Sequence, residues 1–276
     1  MTNNPVPPPA PKVNVLTPYT FIKKGIYLKV LLYGMPGTGK TAFAAGSQKI
    51  GKTLFLNVEG GMLSAADDTG NIIVFDIANR DGKDCMVQLE EILWILVSKD
   101  TKTYPWLEGL KTVVLDSGSE FFNLSLEAIT TKASKKNSNR DKTDIYLEDY
   151  GKATSKLTSV FRMIRDLPYN VVVTALTKEV YEGKDDNKEL IQVRPAFTAK
   201  LGESIMGFFD MVWHSYTTTK TDGKNVTQVY QLLTAPSGFY RAKTRGTAFP
   251  KALGQVVVNP QFDAIYNLLQ TSEGHK

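Results

Sequence analysis

The stretch that decides the fold of this chain is Gly34-Met35-Pro36-Gly37-Thr38-Gly39-Lys40-Thr41. It matches the pattern G-x-x-x-x-G-K-[ST] at every fixed position. The apolar run 28–33 precedes it and is typical of a buried strand, while residues 41–50 have the pattern of a helix. Glycines in such a turn let main-chain N–H groups converge on an anion, and the helix start adds positive potential. We therefore predict a phosphate-binding loop between a strand and a helix.

The loop predicts a bound nucleotide and a metal ion. All its residues, from Gly34 to Thr41, are expected to contact ATP, with Lys40 reaching the β- and γ-phosphates and the Thr41 hydroxyl coordinating Mg²⁺. A second metal ligand is expected from Asp116, which ends the apolar run 112–116. The alternatives are a chance glycine-rich turn and an ordinary aspartate at the end of a strand, and the flanking elements argue against the first.

A carboxylate that could activate water is not where many ATPases carry it. Ser117 follows Asp116 directly, and an ordinary hydroxyl cannot act as a general base. Glu59 follows the apolar run 53–58, whose end should reach the same edge of the sheet as the loop. We predict Glu59 as the catalytic base and hold Glu120 in reserve. A solvated loop acid is the alternative for Glu59.

Apolar runs alternate with helical patterns along most of the chain. Further strands are predicted at 72–77 and 170–175, with helices at 84–98, 119–132 and 147–166. In the last third, strands at 209–216 and 226–234 flank the turn 221–224, and a short strand is predicted at 238–243. Asn259 is expected to cap a final helix with Pro260 at its first position. The fold class is α/β, a mostly parallel sheet flanked by helices with a C-terminal antiparallel extension.

Composition favours one domain in a reducing compartment. Of 276 residues, 42% are hydrophobic, which suits a single domain over residues 25–276. Residues 1–24 are rich in proline and are expected to form a flexible arm. A single cysteine and two histidines argue against a disulfide and against a Cys or His metal site. We see no signal or membrane-spanning pattern, so the cytoplasm is the expected location, that of the host if a phage encodes the chain.

A basic stretch lies between two predicted helices. Its basic residues are Lys132, Lys135, Lys136, Arg140 and Lys142. Clustered positive charge on a mobile segment neutralises nucleic-acid phosphates without reading sequence. Nucleic-acid binding is therefore predicted here, and a solvated loop between two helices is the alternative.

The order of these features resembles the RecA-type ATPase core over about residues 28–245. More narrowly, the chain is similar to short phage nucleotide-binding proteins of the Sak type, which act in single-strand annealing or recombination. The resemblance implies self-association into a ring or filament with ATP at subunit interfaces. It also implies that Lys243 and Arg245 reach the γ-phosphate of a neighbouring subunit. A solvated basic edge strand is the alternative for these two residues.

The same resemblance implies further site residues and a function. A polar side chain ending the strand after the metal-binding one corresponds to Thr174 or Thr177, and two DNA-contacting segments correspond to 132–142 and 178–200. The second of these segments is acidic at its start. The implied function is an ATPase acting on single-stranded DNA in phage-type recombination or annealing. A helicase-like or other AAA-type motor or assembly subunit and a P-loop kinase are the alternatives.

Overall fold

The computed structural model describes residues 26–65, 69–79, 84–137, 139–141, 143–183, 188–223 and 225–273. The predicted arm 1–24 and the predicted nucleic-acid contact Lys142 lie outside these ranges. Within them, we find no helix with the length and apolar character needed to cross a membrane.

Eleven strands and seven α-helices are present in the described parts of the chain. The strands are β1 (Lys29–Gly34), β2 (Lys52–Asn57), β3 (Ile72–Asp76), β4 (Leu110–Asp116), β5 (Asn170–Ala175), β6 (Thr177–Glu182), β7 (Glu189–Pro195), β8 (Met211–Asp222), β9 (Asn225–Leu233), β10 (Lys243–Thr244) and β11 (Val256–Val258). The helices are α1 (Lys40–Ala45), α2 (Cys85–Ser98), α3 (Gly118–Lys136), α4 (Leu147–Asp166), α5 (Ala199–Phe208), α6 (Phe249–Leu253) and α7 (Phe262–Glu273).

The described strands form one large sheet and a separate β6–β7 hairpin. The sheet has the order β11-β9-β8-β1-β5-β4-β2-β3, with β10 paired to β8. Neighbours from β8 to β3 run parallel. Strand β5 lies between β1, which carries the phosphate-binding loop, and β4, which ends in Asp116. Because parallel strands end at one edge, the loop, Asp116 and Glu59 meet there. The predicted α/β fold is confirmed.

The central strands are apolar on both sides because helices cover both faces of the sheet. In β1, Leu31 and Tyr33 join one core cluster with side chains from α2, α3, α4 and α5. Val30 and Leu32 point the other way and join a second cluster with side chains from α1, α6 and α7. Successive residues of a strand point to opposite faces, so a nearly continuous apolar run is what a doubly covered strand requires.

The C-terminal antiparallel extension is present, and it is larger than predicted. Strand β8 pairs parallel with β1 and antiparallel with β9, and the hairpin closes at the Asp222–Asn225 pair, within the predicted turn region. Strand β11 adds a further antiparallel partner to β9 that the sequence did not predict. The strand predicted at 238–243 is only the two-residue β10, which pairs with β8.

Two helix predictions were wrong at their ends. The helix predicted at 41–50 ends at Ala45 and continues as a 3₁₀ turn from Gly46 to Ile50. The last helix begins at Phe262, so Asn259 does not cap it. Asn259 instead has a φ of 46°, a conformation that asparagine tolerates, and its N–H donates to the Tyr230 carbonyl at 2.7 Å. Pairing with β9 thus replaces helix capping at this position.

Candidate nucleotide site

The phosphate-binding loop needs its glycines because of both backbone conformation and close packing. Gly37 and Gly39 have φ values of 78° and 85°, the left-handed region that glycine adopts without strain. A Cβ on Gly34 would overlap the Ser215 carbonyl oxygen and stand 2.8 Å from Thr38 Oγ1. The conformation of the loop therefore requires glycine at positions 34, 37 and 39, and the sequence pattern identified the first and the last of these.

The loop is braced from within and from β8. The Thr38 hydroxyl donates to the Met35 carbonyl at 2.8 Å, and the Ser215 hydroxyl donates to the Thr38 carbonyl at 2.6 Å. Ser215 reaches the loop because the parallel register of β1 and β8 sets it opposite Gly34. Sequence reasoning missed Ser215, since no local pattern marks a residue brought in by strand register.

Lys40 lies folded against the loop. Its ammonium donates to the carbonyls of Gly34 at 3.0 Å and Met35 at 2.8 Å. Burial lowers the pKa of Lys40 below its usual value, while the negative charges of Glu59 and Asp116 oppose that shift. The positive charge thus lies between the loop and the predicted carboxylates.

Thr41 and Asp116 are brought together as the metal prediction requires. The Thr41 hydroxyl donates to Asp116 Oδ2 at 2.7 Å, and the Thr174 hydroxyl donates to Asp116 Oδ1. Asp116 is 4% exposed. Hydroxyl and carboxylate oxygens are hard donors of the kind that Mg²⁺ prefers, and a P-loop metal takes its other ligands from phosphate and water. The residues present therefore fit a magnesium ion.

Glu59 lies beside Asp116 and is held by Ser117. The Glu59 N–H donates to the Asp116 carbonyl at 3.3 Å, and the Ser117 hydroxyl donates to Glu59 Oε1. Ser117 also caps α3, since its Oγ accepts from the Glu120 N–H at 3.3 Å. Glu120 lines the same cavity, but its Oε2 accepts from Asn123 at 3.0 Å. Ser117, which stands where many ATPases carry a glutamate, thus positions Glu59, the predicted base.

Lys40, Thr41 and Glu59 line one cavity of about 1090 Å³. Its lining also includes other residues of the loop and α1, together with Glu120, Tyr230, Asn259 and Gln261. Cavities that hold cofactor-sized ligands span about 300–1,000 Å³, so a nucleoside triphosphate has room here.

Comparison with known families adds a finding to this geometry. A family model described as an AAA domain matches residues 26–246. The chain belongs to this AAA domain family. No curated protein matches the sequence. Membership supports a nucleotide-binding ATPase with a P-loop core, and proteins of this kind typically use Mg²⁺.

The predicted trans-acting residues of the AAA domain lie away from its own cavity. Lys243 pairs with Val212 on β8, three residues before Ser215, a separation of about 10 Å along the strand. Arg245 Nη1 lies 3.3 Å from Asp210 Oδ1, and Arg245 Nη2 donates to the Gly207 carbonyl at 3.1 Å. Neither residue therefore contributes to the site in the same chain, and their action on a neighbouring subunit stays a prediction.

The basic stretch divides into exposed and buried parts. Helix α3 runs to Lys136, so Lys132, Lys135 and Lys136 are helical, and the first part of the segment expected to be mobile, 134–136, is helix. Lys132 pairs with Asp84 and keeps 60% of its side chain exposed. The residues that extend α3 past its predicted end include Ala133 and two lysines, which have good helix propensity.

Arg140, which was predicted to contact nucleic acid, is engaged within the protein, and its contact with nucleic acid stays a prediction. Its guanidinium donates to Asp149 Oδ2, and the side chains of the two residues are 4% and 0% exposed. Burial alone would raise the pKa of Asp149, but the hydrogen bond from Arg140 lowers it below its usual value. Arg140 ties the segment after α3 to the start of α4 and offers its charge to Asp149, since a buried charge must be paired.

The second segment expected to contact DNA, 178–200, is ordered secondary structure where it is described. It contains most of the β6–β7 hairpin and the start of α5. Residues 184–187 between the two strands lie outside the described residues.

Proposed function

We propose that this AAA domain hydrolyses ATP with Mg²⁺ and acts on single-stranded DNA in phage-type recombination or annealing. The observation that carries the ATPase part is that Lys40, Thr41 and Glu59 line one cavity, and that Asp116 accepts a hydrogen bond from Thr41. The proposed setting is the cytoplasm, which supplies ATP. Its reducing conditions also suit a chain whose single cysteine is a buried free thiol.

Each residue has a distinct role in this proposal. Lys40 leaves the loop carbonyls and binds the β- and γ-phosphates, so that it offsets charge that develops during transfer. Thr41 and Asp116 hold Mg²⁺, which supplies further charge neutralisation when bound. Glu59 accepts a proton from the attacking water, and the Ser117 hydroxyl keeps its carboxylate oriented.

Exposed lysines and an exposed aromatic ring in the segment from the end of α3 to the start of α4 support the DNA part. Lys135 and Lys136 are exposed at the end of α3, and the Arg140 N–H donates to the Asn137 carbonyl at 3.0 Å just beyond them. The Arg140 guanidinium carbon lies 4.2 Å from the ring centroid of Tyr146, a residue that is 48% exposed. Lysines for phosphates beside a ring for bases are the usual means of binding single strands without sequence preference.

The nucleotide part is tested by ATPase assays on the wild type, Lys40→Ala and Glu59→Gln. Lys40→Ala should lose Mg·ATP binding, and Glu59→Gln should bind Mg·ATP but turn over about 10²–10⁴-fold more slowly. Glu120→Gln is the control and should stay near wild type. Normal hydrolysis by Glu59→Gln, with loss in Glu120→Gln, would transfer the base role to Glu120.

The DNA part is tested by adding single-stranded DNA to the same assay. We expect stimulation of turnover and binding that weakens steeply with salt. The double variant Lys135→Ala/Lys136→Ala should reduce the slope of log K against log salt by about 1.4, since two phosphate contacts are removed. Lys102→Ala/Lys251→Ala removes the same charge from exposed residues elsewhere and should leave the slope unchanged. Absence of any DNA binding at low salt removes this part of the proposal.

Assembly with trans-acting residues is tested by mixing two inactive variants. Arg245→Ala keeps an intact loop, and Lys40→Ala keeps an intact Arg245. If subunits complete each other's sites, the mixture should recover activity that neither variant has alone. If the mixture is no more active than the separate variants, Arg245 does not act on a neighbouring subunit, and its role is the ion pair with Asp210 in its own chain.

A further inference from the structure

The cavity lining includes side chains that the phosphate chemistry does not use. We infer that Tyr230, Asn259 and Gln261 form a purine subsite that holds the base by stacking and does not select adenine over guanine. This inference rests on the proposed nucleotide binding, and it specifies which nucleotides the same cavity accepts.

The cavity extends along α1, away from the phosphate-binding loop. Its lining continues from the loop through Ala42 to Gly46, and from there to Asn259 and Gln261. A Cβ on Gly46 would stand 3.5 Å from Phe262 Cβ, so the chain before α7 runs close beside the end of α1. Helix α1 spans about 9 Å, a distance that a ribose and base attached to loop-bound phosphates can cover.

Tyr230 supplies an aromatic surface at this wall. Its side chain extends from β9 to the loop, where a Cβ on Gly39 would stand 2.9 Å from Tyr230 Cδ1. The residue is 40% exposed although it contacts the loop, and it lines the cavity. An exposed aromatic face within a cavity is suited to stacking on a base, and stacking is tolerant because every base has a π-face.

The carboxamides near this ring have already engaged their oxygen atoms. Asn259 Oδ1 accepts from the Tyr230 N–H at 3.3 Å, and Gln261 Oε1 accepts from Lys49 Nζ at 3.2 Å. Both partners are donors only, so the orientation of each amide follows from chemistry and its NH₂ group is directed elsewhere.

The NH₂ groups of Asn259 and Gln261 can donate hydrogen bonds to a purine in the cavity. N7 accepts hydrogen bonds in adenine and in guanine, so an amide donor binds both. Each carboxamide oxygen is already directed to a donor of the protein, so the group that each side chain presents to a base is its NH₂. Stacking with donor contacts therefore predicts tolerance between the two purines.

The left-handed turn at Asn259 is what brings these groups to the cavity. The two hydrogen bonds between Asn259 and Tyr230 hold the chain before α7 against β9. As a helix cap, Asn259 would have faced the α7 backbone; as a β9 partner, it faces the nucleotide cavity. The conformation of this residue thus places Asn259 at the cavity, beside the Tyr230 that the β8–β9 ladder already positions.

The test measures the affinity of Mg·ATP, Mg·GTP and Mg·tripolyphosphate for the wild type, Tyr230→Ala, Tyr230→Phe and Trp94→Ala. Trp94 is an exposed aromatic residue on α2, outside the cavity lining, and serves as the control. Tripolyphosphate probes the phosphate-binding loop without a base. Thermal unfolding of each variant confirms that it is folded.

We expect ATP and GTP to bind the wild type within about fivefold of each other, because neither purine is read by a dedicated acceptor. Tyr230→Ala should weaken both nucleotides by about tenfold and leave tripolyphosphate unchanged. Tyr230→Phe and Trp94→Ala should bind as the wild type does.

Three results would overturn the inference while the proposed ATPase stands. These are equal nucleotide affinity in Tyr230→Ala and the wild type, nucleotides binding no tighter than tripolyphosphate, and a preference for ATP over GTP above about 100-fold. If neither nucleotide nor tripolyphosphate binds the wild type, the proposed function fails together with the subsite.

Discussion

Replacing Thr174 with valine should weaken both the fold and the metal site, whereas the same change at Thr177 should do neither. The resemblance to the RecA-type core implies that one of these two threonines is the polar side chain that ends the strand after the metal-binding one. Thr174 is 0% exposed, and its hydroxyl donates to Asp116 Oδ1. Among the described residues, the buried Thr177 hydroxyl has no hydrogen-bond partner. Valine keeps the β-branched shape in each case and removes only the hydroxyl.

The magnitude follows from what each hydroxyl does. A hydrogen bond to a buried carboxylate contributes about 1.5–3 kcal/mol, so Thr174→Val should lower the free energy of unfolding by about 2 kcal/mol. For a chain of this size that corresponds to a Tm lower by about 4–8 °C. At Thr177 a polar atom is buried without a partner, so Thr177→Val should be neutral or slightly stabilising.

The assay is urea unfolding of both variants, followed by nucleotide-induced shifts in Tm with Mg²⁺ and with EDTA. Asp116 orients toward Thr41 partly through Thr174, so Thr174→Val should lose part of the Mg²⁺-dependent shift. Thr174→Ser restores a hydroxyl and should recover most of that loss. Equal stability of the two valine variants, or greater loss in Thr177→Val, would refute the assignment of Thr174 as the partner of Asp116.

Three further outcomes are expected. Gly34→Ala should abolish the nucleotide-induced Tm shift, because its Cβ would overlap a β8 carbonyl, whereas Gly151→Ala, with open space around the new Cβ, should not. Burial lowers the pKa of His214 to about 4, so below about pH 6.5 the unfolded chain binds a proton that the folded chain does not. Between pH 7 and pH 4 the free energy of unfolding of the wild type should therefore fall by about 3 kcal/mol more than that of His214→Phe. Equal losses in urea unfolding would contradict this. Arg140→Met should lower Tm by leaving Asp149 unpaired, and a change in the salt dependence of DNA binding would instead restore Arg140 as a phosphate contact.

The sequence alone was sufficient for the loop and for the strands around it. The loop is eight consecutive residues, and its chemistry depends on glycines, a lysine and a threonine at fixed spacing within one turn. Asp116 and Glu59 could be predicted because each follows an apolar run, and parallel strands end at a common edge. At these positions the apolar runs in the sequence and the common edge of a parallel sheet predict the same site.

Tertiary structure decided which distant side chains complete the site. Ser215 reaches the loop through strand register, and Arg140 is buried because Asp149 needs a partner. Thr174 contacts Asp116 because it lies within β5, beside β4, whereas Thr177 already belongs to β6. Asn259 turned toward Tyr230 instead of capping α7. These contacts form between residues that are neighbours only after packing, where burial and the need to pair each polar group outweigh local propensity.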